Sequence, residues 1–271
     1  DILIIFANAE ELYNIHSDFL EALKQANAES AQLLQVMKSL VSQLHRYLPF
    51  MQCFYSSILI RKKRRSVPSF GNFLKAVREN DKEDLDGLLD HPFRRVNHYA
   101  QLVLDLYQTA SQDSSKEAFH GLIQEMRSIF TTLEDSRVRA EQVYGILRNI
   151  TGEVEFAQNP SREFVHEGRL AITSDKNSAL LYAFLFTDML ICATQIETGQ
   201  GKPKLAHYIT VPLQSCIYRS SQTQFTLQWG KGDKETISFA HDSVWESHLL
   251  RVLSGLNAQF HTNHPRRAAQ S

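Results

Sequence analysis

The stretch His91–Ala110, HPFRRVNHYAQLVLDLYQTA, decides what kind of chain this is. Placed at about 100° per residue, Val96, Tyr99, Val103, Leu106 and Ala110 fall on one face, the pattern of a helix laid on a core. Roughly opposite lie Asn97, Ala100, Gln101, Leu104, Tyr107 and Gln108, a mixed apolar and amide strip with only Asp105 and His98 at its flank. Single exposed leucines are ordinary surface, and an apolar and amide strip also suits a contact face for another protein. Both readings stay open on this stretch alone.

The whole chain frames the choice. At 271 residues it has room for one large domain or two ordinary ones. With 43% hydrophobic and 22% charged residues it belongs with globular rather than disordered proteins. A net charge of −1 gives no case for nucleic acid, so any basic site must be local. Cys53, Cys192 and Cys216 stand far apart among apolar residues, which argues for a reducing compartment and against disulfides or a zinc site. The histidines are scattered without ligand spacing, so no metal is expected. The longest apolar stretch, ALLYAFLFTDMLICA from Ala179, is broken by Thr187 and Asp188, and fits two buried strands joined by a tight turn better than a membrane span. With no secretory signal, the expectation is a soluble cytoplasmic protein.

Two periodicities divide the sequence. Up to about Phe156 it reads as helix: Ile2 to Leu23, then Leu33 to Leu48 ending before Pro49, then Phe50 to Ile58. A short helix follows from Ser69 after Pro68, and Pro92 is expected to open the helix quoted above. Beyond the polar link SQDSSK, apolar positions from Phe119 to Leu147 predict a last helix of about forty residues, long enough to bridge two domains. From Gly168 the period drops to two, predicting seven strands: GRLAITS, LLYAFLF, MLICATQ, AHYITVPL, SCIYRS, QFTLQWG and ETISFAH. The amphipathic helix SVWESHLLRVLSGLNAQF closes the domain, and the tail HTNHPRRAAQS has nothing to bury. The predicted domains are 1–157, all helical, and 158–262, a small antiparallel barrel with a C-terminal helix, before a disordered tail 263–271.

This order resembles the Dbl family of Rho-type guanine nucleotide exchange factors, in which an elongated Dbl-homology helical bundle precedes a pleckstrin-homology domain. IFANAEELYNIHSDFLEAL looks like an early family helix with its Phe, Asn, Glu pair and His before Phe-Leu. LHRYLPFMQCFYSSI and HPFRRVNHYAQLVL resemble later ones, the second matching P-x-Q-R-I-x-x-Y-x-L-L-L-K by Pro92, Arg95, Val96, Tyr99, Leu102 and Val103. LEDSRVRAEQ looks like part of the long last helix, while HEGRLAI, AFLFTDMLI and Trp245 fit pleckstrin-homology habits. The resemblance implies exchange on a Rho-family small GTPase without a cofactor or a catalytic side chain. It also places the switch regions of the GTPase on Asn97, Ala100, Gln101, Leu104, Tyr107 and Gln108, with Glu134 and Asp135 as rim acids and Leu104 and Tyr107 as anchors.

Departures from the family pattern bear on activity. Arg94 stands where the family has Gln, Leu104 replaces the basic residue that touches the GTPase, and Glu134 aligns with an Asn that contacts a switch. The earliest family helix, with its Glu, would precede Asp1. The alternative function is therefore a degenerate adaptor of the same fold that binds a GTPase or another protein without exchange. No GxSxG, GKS/T or HExxH motif supports a metabolic enzyme. The densest charge cluster, Arg61, Lys62, Lys63, Arg64 and Arg65, reads as a solvated loop, as a contact for anionic lipid or as a localisation signal, and Ser66 behind it suits a basophilic kinase. In the second domain only Arg169 and Lys176 lie where phosphoinositides are gripped, so weak lipid contact is expected.

Overall fold

Hydrophobic periodicity becomes architecture in a computed structural model that describes residues 1–26, 30–110, 113–152, 159–173, 179–196, 204–230 and 235–263. The contacts divide the chain into two units, one over Asp1–Tyr144 and the other starting at Gly145 and continuing from Arg162. The first unit is helical. A short α1 (Ile2–Phe6) leads into α2 (Ala9–Gln25), which buries Leu12, Ile15 and Phe19 at helical spacing. Then comes α3 (Ser30–Val41), with Met37, Leu40 and Val41 at most 1% exposed.

Some boundaries differ from the sequence expectation, two of them at prolines. The helix predicted to run to Leu48 ends at Val41, and a single 3₁₀ turn, Leu44–Tyr47, carries Leu44 and Tyr47 into the core. Pro49 does not stop a helix but sits in the first turn of α4 (Leu48–Arg64), where its missing N–H costs nothing. Pro68 opens α5 (Pro68–Asp81) in the same way, as expected. Pro92, however, lies inside α6 (Leu85–Thr109) instead of opening it. The helix starts a full two turns earlier because Asp84 caps it, its carboxylate accepting from Gly87 N at 2.9 Å. The last helix, α7 (Asp113–Leu147), is 35 residues long and reaches into the second unit by its final residues.

The predicted inner face of α6 holds: Val96, Tyr99 and Val103 are buried and Ala110 is 8% exposed. They join one cluster with Met37, Leu44, Tyr47, Phe119 and Leu122. The basic run is not a loop. Arg61 to Arg64 form the last turn of α4, and Arg61 continues the buried stripe of Phe50, Cys53, Ser57 and Ile60.

The second unit is a single eight-stranded sheet ordered β1-β5-β4-β3-β2-β8-β7-β6 and backed by a helix. Its strands are β1 (Ile150–Thr151), β2 (Phe164–Ile172), β3 (Ala179–Phe186), β4 (Met189–Ile196), β5 (Lys204–Pro212), β6 (Ile217–Ser220), β7 (Gln224–Trp229) and β8 (Glu235–Ala240), and α8 (Ser243–Asn263) follows. Seven correspond to the predicted strands. The eighth, β1, has only two residues, pairs parallel with β5, and is too short to show a period; it also places Ile150 and Thr151 in the second unit, ahead of the expected boundary at 157. Thr187 and Asp188 turn β3 into β4, with Leu185 opposite Leu190. The turn is anchored: Arg162, 7% exposed, donates from Nε to Asp188 Oδ1 at 2.7 Å and from a second nitrogen to Oδ2 at 2.8 Å. One face of the sheet (Leu181, Ala183, Leu185, Leu190, Cys192, Phe225, Leu227) meets Trp245, Leu249 and Leu253 of α8. Phe184, Phe186, Ile191 and Ala193 on the alternate positions are buried too, which is why these two strands read as unbroken apolar runs. The predicted tail, 263–271, falls almost wholly outside the described residues.

Candidate partner-binding face

Burying one face of α6 fixes what the other presents. Asn97, Gln101, Leu104 and Gln108 follow one another at three- and four-residue steps and are all exposed, Leu104 by 38%. Gln101 is ordered along the helix, its Nε2 donating to Asp105 Oδ1 at 2.7 Å. Ala100 and Tyr107 stand on the border instead: both are half-buried and packed against the core cluster, and the Tyr107 ring lies 6.4 Å from that of His120 on α7. Of the two expected anchors, Leu104 is thus the open one.

The two acids come beside one residue of this strip although they are far along the chain. Asn97, Glu134 and Asp135 line one cleft of about 540 Å³, floored by Met51, Phe93, Val96, Phe130 and Leu133. Its floor is apolar and its rim polar, which suits an inserted side chain with a charged or amide end. The rim holds a residue the sequence reading missed. Arg137 grips Glu134 with two nitrogens, at 2.8 and 2.6 Å, while a nitrogen also donates to Glu141 Oε2 at 2.9 Å and Tyr55 Oη at 3.0 Å. These hydrogen bonds from Arg137 hold the Glu134 carboxyl below the usual carboxylate range, against the effect of burial. The signal was present as Glu134, Arg137 and Glu141 at steps of three and four, the spacing of facing charges on a helix. Arg94, the departure from the family Gln, bonds back along α6 to Asp90 Oδ2 at 2.7 Å.

The opposite side of α6 carries a second groove that sequence reasoning did not anticipate. Tyr13, Leu20 and Leu23 of α2 face Leu88, Pro92 and Arg95 of α6 across about 440 Å³ of mainly apolar surface. Tyr13 and Leu20 are 69% and 52% exposed, off the buried stripe of their helix.

Among the residues expected to meet lipid, burial separates Arg61 from its neighbours in the basic run. Arg61 is 4% exposed and paired with Asp86, Arg65 reaches the same carboxylate at 3.2 Å, and Arg64 pairs with Asp1. Lys62 lies 5.8 Å from the centre of the Tyr144 ring and donates to its hydroxyl at 3.2 Å, while Lys63 is exposed. Arg169 is exposed on β2 of the second unit, and Lys176 lies outside the described residues. Among the described residues no group of three His, Cys, Asp or Glu side chains is placed to hold a metal, and no helix is long and apolar enough to cross a membrane.

Comparison with known proteins bears on the first unit above all. Residues 1–134 match the model of the RhoGEF domain family. The FERM, ARHGEF and pleckstrin domain-containing protein 2 of Mus musculus is 23% identical over 245 residues, which is 83% of this chain and 22% of that protein. The FYVE, RhoGEF and PH domain-containing protein 4 of Mus musculus is 24% identical over 208 residues, 69% of this chain and 26% of that protein. The chain thus spans about a quarter of the length of these relatives. Among solved structures, one of the Vav1 exchange factor has a TM-score of 0.48 at 21% identity, covering 94% of this chain and 72% of its own. The linker and DH/PH domains of p115-RhoGEF have a TM-score of 0.49 at 15% identity, covering 95% and 85%.

Proposed function

From the match of residues 1–134 to the RhoGEF domain model and the helical unit followed by a sheet unit, we propose that the chain is a Dbl-homology bundle followed by a pleckstrin-homology domain, that it binds the switch regions of a Rho-family small GTPase on the α6–α7 face, and that it so promotes release of GDP. The observation that supports this best is the meeting of Asn97, Glu134 and Asp135 at one cleft, continued along α6 by the exposed Gln101, Leu104 and Gln108. In this mechanism Leu104 supplies the apolar anchor at the centre of the contact. Asp135 and Asn97 offer an acceptor and an amide to a polar or cationic switch side chain at the rim. Arg137 acts as a positioning residue, fixing the Glu134 carboxylate before the partner arrives.

No bond to the nucleotide is made or broken by this chain. Exchange is differential binding: the face holds the nucleotide-free GTPase more tightly than the loaded one. By reciprocity, bound nucleotide weakens the exchange factor to the same degree. The pleckstrin-homology domain serves mainly in structure or protein contact, since the sequence offers only Arg169 and Lys176 where a phosphoinositide is gripped, poor for a tight phosphate site.

The test is release of a fluorescent GDP from purified Rho-, Rac- and Cdc-type GTPases. Acceleration by this chain, lost in Leu104→Glu, is the expected result. A charge at an interface centre costs roughly 2 kcal/mol or more, about thirtyfold in affinity. A second reading, an adaptor that binds without exchange, draws on two observations: Leu104 in place of a cation, and a Glu134 already engaged by Arg137. Retained binding to the empty GTPase with no acceleration selects it.

A further inference from the structure

Lys63-Arg64-Arg65-Ser66-Val67 is left unused by the exchange reading, and it forms the turn between two helices. We propose that Ser66 is a phosphorylation site for a basophilic serine/threonine kinase, and that the phosphate is then held within the chain by Arg64 and Arg65. Three observations carry this. First, the acceptor is open: Ser66 is exposed, and its hydroxyl makes a long bond, 3.3 Å, to the Lys63 carbonyl. Second, the cations that a basophilic kinase reads, Lys63 and Arg64 at the third and second positions before the serine, are exposed rather than buried with Arg61. Third, the local guanidinium groups have partners they can exchange. The Arg64 and Asp1 side chains are 50% and 39% exposed, and those of Arg65 and Asp86 are 59% and 52% exposed. Such solvated pairs are held weakly.

In the transfer, the bond between the γ-phosphorus of ATP and its bridging oxygen breaks and a bond from Ser66 Oγ to that phosphorus forms. The hydroxyl proton passes to the base of the kinase, and ADP leaves. Lys63 and Arg64 belong to the last turn of α4, so that turn must open for an extended kinase cleft. Terminal turns open most readily, and this one ends in two bonds at the helix boundary, Arg65 N to Arg61 O at 3.1 Å and Val67 N to Arg64 O at 2.9 Å. A phosphoserine carries about −1.5 to −2 charges at pH 7 and three acceptor oxygens. It therefore outcompetes the single carboxylates of Asp1 and Asp86 for Arg64 and Arg65. Arg61 keeps Asp86, because its side chain is buried and points inward.

The experiment treats the whole chain with a purified basophilic kinase and magnesium ATP, and maps the product by peptide mass spectrometry. One phosphate on Ser66, absent from Ser66→Ala and strongly slowed in Arg64→Ala, is expected. Phosphate on Ser69 or elsewhere instead overturns the assignment. So does an unmodified folded chain when a peptide of residues 60–70 accepts phosphate, since the turn is then closed in the fold. For the second half of the proposal, the ³¹P resonance is titrated in the folded chain and in that peptide. Capture by Arg64 and Arg65 favours the dianion and lowers the midpoint below that of the peptide. Equal midpoints would show a phosphate free in solvent and overturn capture.

Discussion

Two tyrosine hydroxyls close on His16 from different elements, Tyr47 at 2.6 Å from Nε2 and Tyr99 at 2.5 Å from Nδ1. A neutral imidazole has one N–H and one bare nitrogen, so one hydroxyl donates to the ring and the other accepts from it. The network ties α2, the 3₁₀ turn and α6 together at a point where Tyr47 and Tyr99 are 0% and 1% exposed. Tyr47→Phe should therefore cost about 1–2 kcal/mol, read as a lower urea midpoint, because it leaves a ring nitrogen without its partner. Burial, with a smaller contribution from Arg95, holds the His16 pKa below its ordinary value. The unfolded chain then binds more protons than the folded one just below the ordinary histidine value of about 6.5. The stability His16 contributes is complete above that pH and is lost as pH falls through the lower folded value. Replacing it with Gln should flatten the fall in stability between pH 7 and 5; an unchanged slope would assign that fall to other groups, such as His166 and His207, whose pKa values burial also lowers. At this scale the sequence was legible only in part. His16 is visible in the family-like stretch, but its partners at 47 and 99 are set by packing between elements. Arg61 was read as one of five equal cations, although its step from Ser57 places it on the buried stripe of α4. Removing its partner should expose the difference. Asp86→Ala is expected to cost roughly 2 kcal/mol by stranding a buried guanidinium, whereas Arg94→Ala, which breaks an exposed pair with Asp90, should stay within about 0.5 kcal/mol.

Helix α6 shows which properties of an element local sequence carries. Its faces were legible, because burial repeats at 3.6 residues and Val96, Tyr99 and Val103 obey that period. Its start was not, because two rules competed: Pro92 is a common first-turn residue, while Asp84 is a good cap. The cap prevailed, since Leu85 and Leu89 bury one turn apart ahead of the proline and extend the apolar stripe. The proline remains a defect within the helix, without an N–H to give to the preceding turn. These roles predict opposite signs in thermal unfolding. Asp84→Ala should lower stability by about 1 kcal/mol through loss of the bond to Gly87 N. Pro92→Ala should raise it by roughly 1 kcal/mol by restoring a helical donor and a better propensity. A destabilised Pro92→Ala would mean that the ring itself is packed in the groove beside Leu88 and Arg95. In the sheet, seven strands announce themselves by period or by apolar runs, whereas the two residues of β1 are defined by their pairing with β5.

Two separate cores have consequences for the molecule as a whole. One cluster gathers side chains of the helical unit from Ile5 to Leu133, and the other gathers side chains of the sheet unit from Leu170 to Leu253. The change of period that separates them was legible, but the division at Tyr144 was not, because α7 runs through it without a break in helical pattern. Chains with distinct cores need not unfold as one unit. Phe239→Ala removes a side chain that is 0% exposed in the second core and should destabilise that core by about 3–5 kcal/mol. The transition assigned to the helical unit should keep its midpoint. Every residue proposed for the GTPase face, Asn97 to Gln108 with Glu134 and Asp135, belongs to that helical unit. At a temperature where calorimetry finds the second core of Phe239→Ala melted and the first intact, binding to an empty GTPase should therefore persist. Leu104→Glu should do the reverse, leaving both transitions in place while binding is lost, because a side chain 38% exposed contributes little to either core. If binding instead disappears together with the second core, the partner face is not confined to α6 and α7, and the second unit contributes to it.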